Sequence, residues 1–169
     1  NFKVIKAQGA YICGEETALI NSIEGQRPEV RTRPPYPTEQ GLFNKPTIVN
    51  NVETQASVYY ILKNGGAAYR KLGTDKSSGT KLVCLDGFFS NPGLYEVEMG
   101  YSLKELIYDH AEGFKEAVKA MQIGGPLGGV VPIDKIENLS LDFESFGNSG
   151  FLLGHASVVC IPETFPMVK

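Results

Sequence analysis

The stretch Gly9-Ala10-Tyr11-Ile12-Cys13-Gly14-Glu15-Glu16-Thr17-Ala18-Leu19 constrains this chain more than any other. Before it, Phe2-Lys3-Val4-Ile5-Lys6 has the apolar, β-branched character of a short strand, and after it Thr17 to Ile23 has helical spacing that ends before Gly25. Strand, glycine turn and helix start in that order leave the first helical amides without partners inside the helix. Such amides attract anionic or hydrogen-bond-accepting ligand atoms. Gly9 and Gly14 lack a Cβ, so a flat ligand can lie close to the main chain, with the Glu15 and Glu16 carboxylates beside it. Acidic residues in a first turn also suit the helix dipole, so ordinary helix-start chemistry explains the pair as well.

A second junction follows a long loop. From Gln26 to Lys45 the chain carries Pro28, Pro34, Pro35 and Pro37, with Pro46 just beyond and Arg27, Arg31 and Arg33 among them. Prolines fix φ and suppress helix, which predicts a stiff, extended loop. Long loops without secondary structure are uncommon in compact domains and often functional. Tyr36, between Pro35 and Pro37, can serve as a stacking platform for a ligand ring or simply pack the loop onto its neighbour. Thr47-Ile48-Val49 then reads as a short strand. Asn50 and Glu53 form a capping box for a helix through Lys63, whose apolar face is Val52, Ala56, Tyr59 and Ile61-Leu62, with Gly65-Gly66 as the stop. If the two strands are parallel, both junctions fall beyond the carboxyl ends of strands, where open α/β sheets bind ligands.

After the polar, small-residue segment from Ala67 to Gly79 the pattern changes. Thr80 to Leu85 and Leu94 to Glu98 read as strands joined through the turn Ser90-Asn91-Pro92-Gly93. Ser102 and Glu105 cap a helix with the stripe Leu103, Leu106 and Ile107, ended by Gly113. Ala117 to Ile123 reads as a strand, and Ser157 to Ile161 as another. Hairpin, crossing helix and strand make a small α+β roll of the β-grasp type. Gly124 to Gly129 lacks the Lys-Ser/Thr of a phosphate loop and reads better as a tight turn. The segment 132–146 has no clear assignment.

With 169 residues and a 42% apolar fraction the chain can bury a core, and a net charge of −3 without a basic run gives no footprint for nucleic acid. No apolar run approaches the roughly 18 to 20 residues of a membrane span, and no signal-peptide layout opens the chain. A cytoplasmic chain is expected, attached to a membrane face only through other subunits. Cys13, Cys84 and Cys160 are dispersed and form no CxxC, and His110 and His155 have no ligand-spaced neighbours, so no metal site is expected. Asn138-Leu139-Ser140 is a glycosylation sequon by letter alone. The chain opens in a strand-like run and closes at Pro166-Met167-Val168-Lys169 without a tapering polar segment, as a piece of a longer polypeptide would.

The first stretch, Ile23-Glu24-Gly25, Arg33-Pro34-Pro35-Tyr36-Pro37 and Lys45-Pro46-Thr47-Ile48-Val49-Asn50-Asn51-Val52-Glu53-Thr54 together resemble the flavin- and NADH-binding subunit of respiratory complex I. The related subunit of NAD(P)-linked hydrogenases and formate dehydrogenases is similar. The resemblance covers the first third of the chain, and the segment after Gly79 resembles the soluble-ligand-binding β-grasp domain that follows in that family.

The resemblance implies a Rossmann-like, α/β flavin-binding part over 1–78 and a ubiquitin-like, α+β β-grasp domain with its following segment over 79–169. It implies FMN held by Tyr11, Gly14, Glu15 and Glu16 and by Val49, Asn50, Asn51 and Thr54. Glu16 would border the nicotinamide of NAD(P)H, Tyr36 would stack on its adenine, and Arg33 would supply a basic group beside it. The implied activity is hydride transfer from NAD(P)H to FMN and release of single electrons to iron–sulfur clusters of partner subunits. Carboxylates near the flavin would disfavour a negatively charged reduced form.

The family's glycine-rich loop belongs upstream of Asn1 and its [4Fe-4S] cysteine cluster downstream of Lys169, so this stretch alone is expected to bind FMN weakly or not at all. Asn148-Ser149-Gly150 followed by Phe151-Leu152-Leu153-Gly154-His155 departs from the family's Gly-Ser-Gly-Gly run and favours a hydrogenase-type or divergent relative. A non-catalytic module, with the β-grasp part docking a ligand or partner, is the alternative.

Overall fold

A computed structural model describes residues 2–7 and 9–168. Two compact units divide the chain, Asn1–Gln55 and Ala56–Lys169.

In the first unit the sequence leads to a helix and a loop strapped along it. Helix α1, Glu16–Ile23, is preceded by a 3-10 turn at Tyr11–Gly14, and Glu15 occupies its N-cap. Ala18 and Ile20 are buried on one side of α1 with Cys13, while Thr17 and Asn21 are buried polar residues facing the loop. The proline-rich segment is irregular as expected, with a 3-10 turn at Leu42–Asn44. It folds back on itself: the Thr47 amide donates to the Pro37 carbonyl at 2.8 Å, and the Thr47 hydroxyl accepts from the Leu42 amide at 2.9 Å.

Neither expected strand of this unit forms. Phe2 to Lys6 is irregular, with Phe2 and Val4 fully exposed, and Thr47-Ile48-Val49 is irregular with Ile48 exposed. β-Branched composition favours a pleated, half-buried surface but does not make one. Without a neighbouring strand to pair with, the backbone groups of such a run are better left to water. The parallel-strand frame that the sequence pattern suggests for the two junctions is therefore absent among the described residues.

Helix α2, Val52–Asn64, begins where the sequence places it, but Asn51 caps it in place of Asn50: the Asn51 Oδ1 accepts from the Glu53 amide at 2.8 Å. None of its residues is buried, so the expected apolar face of Val52, Tyr59 and Leu62 is exposed. Gly65, at φ 85°, ends the helix before a short α3, Gly66–Tyr69.

The second unit is built on one five-stranded mixed sheet. Strand β1, Thr80–Leu85, pairs antiparallel with β2, Gly93–Glu98, in the register Thr80↔Glu98 to Leu85↔Gly93. Strand β3, Val118–Ile123, pairs antiparallel with β4, Gly129–Pro132, and with β5, Val158–Pro162. The order is β2-β1-β5-β3-β4, and only the central pair, β1 with β5, runs parallel, through Leu85↔Val158.

The period of two along β1 sends Val83 and Leu85 to the interior and Leu82 and Cys84 outward. Helix α4, Leu103–Glu105, starts from Ser102, whose Oγ accepts from the Glu105 amide at 3.3 Å, and widens into a π-type turn at Leu106–His110. Leu103, Leu106 and Ile107 are fully buried, as the stripe predicts, and join a core containing Phe89, Met121, Ile123, Val131 and Phe146. The glycine cluster is the β3–β4 turn, with Gly124 and Gly125 at φ 92° and 75°. A Cβ at Gly128 would sit 1.7 Å from the Ile123 carbonyl oxygen, so only glycine fits there. Segment 132–146 contains the end of β4, a 3-10 helix at Ile133–Asn138 and the start of α5, Phe143–Asn148, capped by Asp142.

Candidate functional site

The residues of the glycine turn and of the proline loop meet at the start of α1. Gly9 and Gly14 have no atom within 4 Å of where a Cβ would stand, so the backbone of the turn is open on that side. The helix amides are not open, contrary to the expectation from the turn pattern. The Glu15 Oε2 accepts from the Thr17 amide at 3.0 Å, the Ala18 amide at 2.9 Å and the Thr17 hydroxyl at 2.5 Å. Glu15 has a flexible side chain at the N-cap and simply satisfies the donors that a ligand would otherwise take.

The second oxygen of Glu15 accepts from Arg33, and the same guanidinium reaches Glu16 Oε1 at 2.8 Å. One cation thus bridges two adjacent carboxylates. Partial burial pushes the Glu15 carboxyl up, but the Thr17 hydroxyl, the Ala18 and Thr17 amides and the Arg33 charge outweigh it and hold its pKa below the ordinary 4.5. Glu16 and Arg33 each keep about a third of their side chain in solvent, at 35% and 34%. Tyr36 follows Arg33 in the same loop and is 53% exposed, and Tyr11, on the turn, is exposed to the same extent.

The structure therefore brings Glu15, Glu16 and Arg33 into one cluster and leaves the rings of Tyr11 and Tyr36 with a solvent-facing surface. Val49, Asn50, Asn51 and Thr54 stand outside that cluster. Val49 is half-buried, Asn50 and Thr54 are exposed, and Asn51 turns back to cap its own helix.

Sequence reasoning missed the polar seam that holds the loop in place. The Thr17 hydroxyl accepts from the Arg31 amide at 2.9 Å. Asn21 donates to the Glu29 carbonyl at 3.1 Å and accepts from Arg31 Nε at 2.7 Å, while Arg31 pairs with Glu24 at 2.9 Å. Glu24 Oε1 also accepts from the Phe43 amide at 2.7 Å. Thr17, Asn21 and Glu24 stand at i, i+4 and i+7, one face of a helix, so polar spacing was the available signal. A cleft of about 190 Å³ lies along this seam, lined by Thr17, Ile20, Arg31 and Pro35 among others.

Comparison with known proteins adds context to this geometry. Residues 1–60 match the Nuo51 FMN-binding domain family. The chain is 46% identical over 166 residues to the F 2 subunit of the NADH-quinone oxidoreductase of Rhizobium meliloti, covering 97% of this chain and 39% of that protein. It is 45% identical to the NADP-reducing hydrogenase subunit HndC of Solidesulfovibrio fructosivorans, over 95% of this chain and 33% of the relative. Against an NAD+-reducing NiFe hydrogenase crystal structure in the H2-reduced state the TM-score is 0.79 at 40% identity, over 92% of this chain and 26% of that one. The chain thus spans well under half the length of these relatives.

Proposed function

We propose, from the premise that residues 1–60 are a Nuo51 FMN-binding domain segment, that the chain is part of the flavoprotein subunit of an NAD(P)H:acceptor oxidoreductase, of the NADH-quinone oxidoreductase or NAD(P)-linked hydrogenase type. Bound FMN would supply acceptance of a hydride from NAD(P)H and release of electrons singly toward iron–sulfur clusters. A [4Fe-4S] cluster belongs to the full-length subunit in this reading, and other clusters to partner subunits of a complex on the cytoplasmic side. Among the described residues no helix is long and apolar enough to cross a membrane.

The residues present fit a flat coenzyme. Gly9 and Gly14 leave the backbone open at the two ends of the turn, and the Glu15–Arg33–Glu16 fork offers one cation and two carboxylates beside it. In this reading Tyr11, Gly14, Glu15 and Glu16 edge the flavin on one side, and Val49, Asn50, Asn51 and Thr54 on the other. Glu16 borders the nicotinamide, and Arg33 and Tyr36 receive the adenosine half. Arg33 lowers the net charge of the fork from two negatives to one, so the acid pair disfavours a reduced anion less than two isolated carboxylates would. The sheet order β2-β1-β5-β3-β4, with α4 following the first hairpin, supports a β-grasp reading of 79–169, whereas the Rossmann-like reading of 1–78 rests on the sequence resemblance.

The observation that carries the proposal is the partly exposed acid–arginine fork placed against an open glycine turn. Its test uses the full-length subunit and the substitution Glu16→Gln. Flavin content should stay stoichiometric while kcat/KM for NADH-dependent ferricyanide reduction falls roughly 10- to 100-fold, the loss of one charge-assisted hydrogen bond. A full-length subunit without flavin, or a Glu16→Gln enzyme with unchanged kcat/KM, would overturn the reading.

A further inference from the structure

A broad groove of the second unit follows the outer edge of its sheet. Strand β2 lies at the end of the sheet and pairs with β1 alone among the described strands. A strand edge presents a row of backbone donors and acceptors that only water or an added strand can satisfy. Natural edges are usually blunted by charged side chains, proline or a bulge; Gly93-Leu94-Tyr95-Glu96-Val97-Glu98 has no proline, lysine or bulge over its continuous register, and its only charges are the two glutamates. Beside it lies a cavity of about 600 Å³ that reaches from β2 to His110, at the end of the π-type turn.

The walls of this groove are fixed in place. The Tyr101 hydroxyl and His110 Nε2 are 2.7 Å apart, and Tyr95 donates through its hydroxyl to the Asn91 carbonyl at 2.8 Å. The Tyr95 and Tyr101 rings lie 6.4 and 5.7 Å from the His110 ring. The charge along the groove has one sign. Glu96 and Glu98 line it, no lining residue is lysine or arginine, and Glu105 and Asp109 act on the Tyr101 hydroxyl from the adjoining helical turn.

Alternation along β2 sorts these groups by face. Glu96 and Glu98 point to the outer face of the sheet, while Tyr95 and Val97 point to the side of the core. A strand added to this edge would repeat that alternation, because directly opposed residues share a face. A second copy of β2 would set like charges against each other in the registers that oppose Glu96 to Glu96 or Glu98, which is unfavourable.

We propose that the β2 edge receives an extended segment of a partner subunit that carries lysine or arginine at alternating positions. The cations meet Glu96 and Glu98, and the residues between them rest on the Tyr95, Tyr101 and His110 wall. Main-chain hydrogen bonds supply the affinity of such strand addition, and the alternating side chains supply its specificity. This inference rests on the reading that the protein works within a multi-subunit assembly.

Hydrogen exchange in the intact complex, compared with the full-length subunit released from it by salt, tests the proposal. Those amides of 93–98 that face away from β1 should exchange at least tenfold more slowly in the complex, and a carbodiimide should couple Glu96 or Glu98 to a lysine of a partner subunit. The pair Glu96→Lys with Glu98→Lys should reduce partner retention at least tenfold while flavin content and ferricyanide reduction stay unchanged. The milder pair Glu96→Gln with Glu98→Gln should weaken retention severalfold and remove its salt dependence. Unchanged exchange on assembly, protection that survives both charge variants, or a carbodiimide product joining two copies of this chain would overturn it. Absence of flavin from the wild-type subunit would instead count against the proposed function and leaves the exchange comparison intact.

Discussion

Glu15 offers the sharpest test of the local physics, because its carboxylate substitutes for a ligand at the helix start. In Glu15→Ala the Thr17 and Ala18 amides lose their acceptor, and both residues are almost fully buried, at 2% and 0% exposure, so water replaces it poorly. Loss of a cap costs about 1 kcal/mol and loss of a charged acceptor about 1.5–3 kcal/mol, which places this substitution at about 2 kcal/mol. Arg33 keeps its pairing to Glu16, so the ion pair adds little to that figure. Glu15→Gln retains a neutral acceptor of roughly half the strength and should cost about 1 kcal/mol.

Hydrogen exchange of α1 in the full-length subunit reads these costs directly, as roughly 30-fold and 5-fold acceleration where α1 opens locally. The sign of the pH dependence follows from the lowered pKa of Glu15. Its contribution is fully present above the ordinary carboxylate value of 4.5 and is lost as pH falls through the lower folded value. The gap between wild type and Glu15→Gln should therefore be widest near neutrality and close below about pH 4.5. Exchange accelerated less than twofold in Glu15→Ala, or a wild-type advantage that grows on acidification, would refute the capping argument.

Asn21→Ala removes the acceptor of Arg31 Nε and the donor to the Glu29 carbonyl, so the loop should separate from α1 at a cost of about 2 kcal/mol. Limited trypsin digestion would register it as faster cleavage of the Arg31–Thr32 bond. Phe89→Ala empties a fully buried site whose ring centroid lies 5.2 Å from that of Phe114, and should lower stability by about 3–5 kcal/mol in denaturant titration of the full-length subunit. Cys84 is exposed, whereas burial first and the Asp86 charge second push the Cys160 thiol far up. Iodoacetamide at pH 8 should then label Cys84 and spare Cys160, as mass spectrometry of the native protein would read.

What the sequence makes legible is local. The Ser102–Glu105 box, the Leu103, Leu106 and Ile107 stripe, the alternation of Val83 and Leu85 and the Gly65 stop each depend on a few neighbouring residues, and each stands where expected. The β4 strand and α5 are not legible. Gly129-Val130-Val131-Pro132 is too short to announce a strand, and α5 covers six residues whose interior includes Gly147. The two failed strands show the converse. Thr47-Ile48-Val49 and the run from Phe2 have strand composition, but a strand also needs a partner, and composition says nothing of that.

The same distinction governs the candidate site. The turn pattern alone leaves amides for a ligand, yet the residue that makes the pattern acidic, Glu15, is the one that takes those amides. Its second oxygen is tied to Arg33, eighteen residues later, and Arg33 also holds Glu16. No local rule foresees that closure. It depends on the path of the proline loop, which the buried side chains of Thr17 and Asn21 fix by gripping Glu29 and Arg31. A polar stripe on α1 thus sets the position of a cation two residues beyond its last contact. Substitutions at Asn21 should accordingly alter the environment of Glu16 without touching it, whereas substitutions at Tyr36, beyond the fork, should leave that environment unchanged.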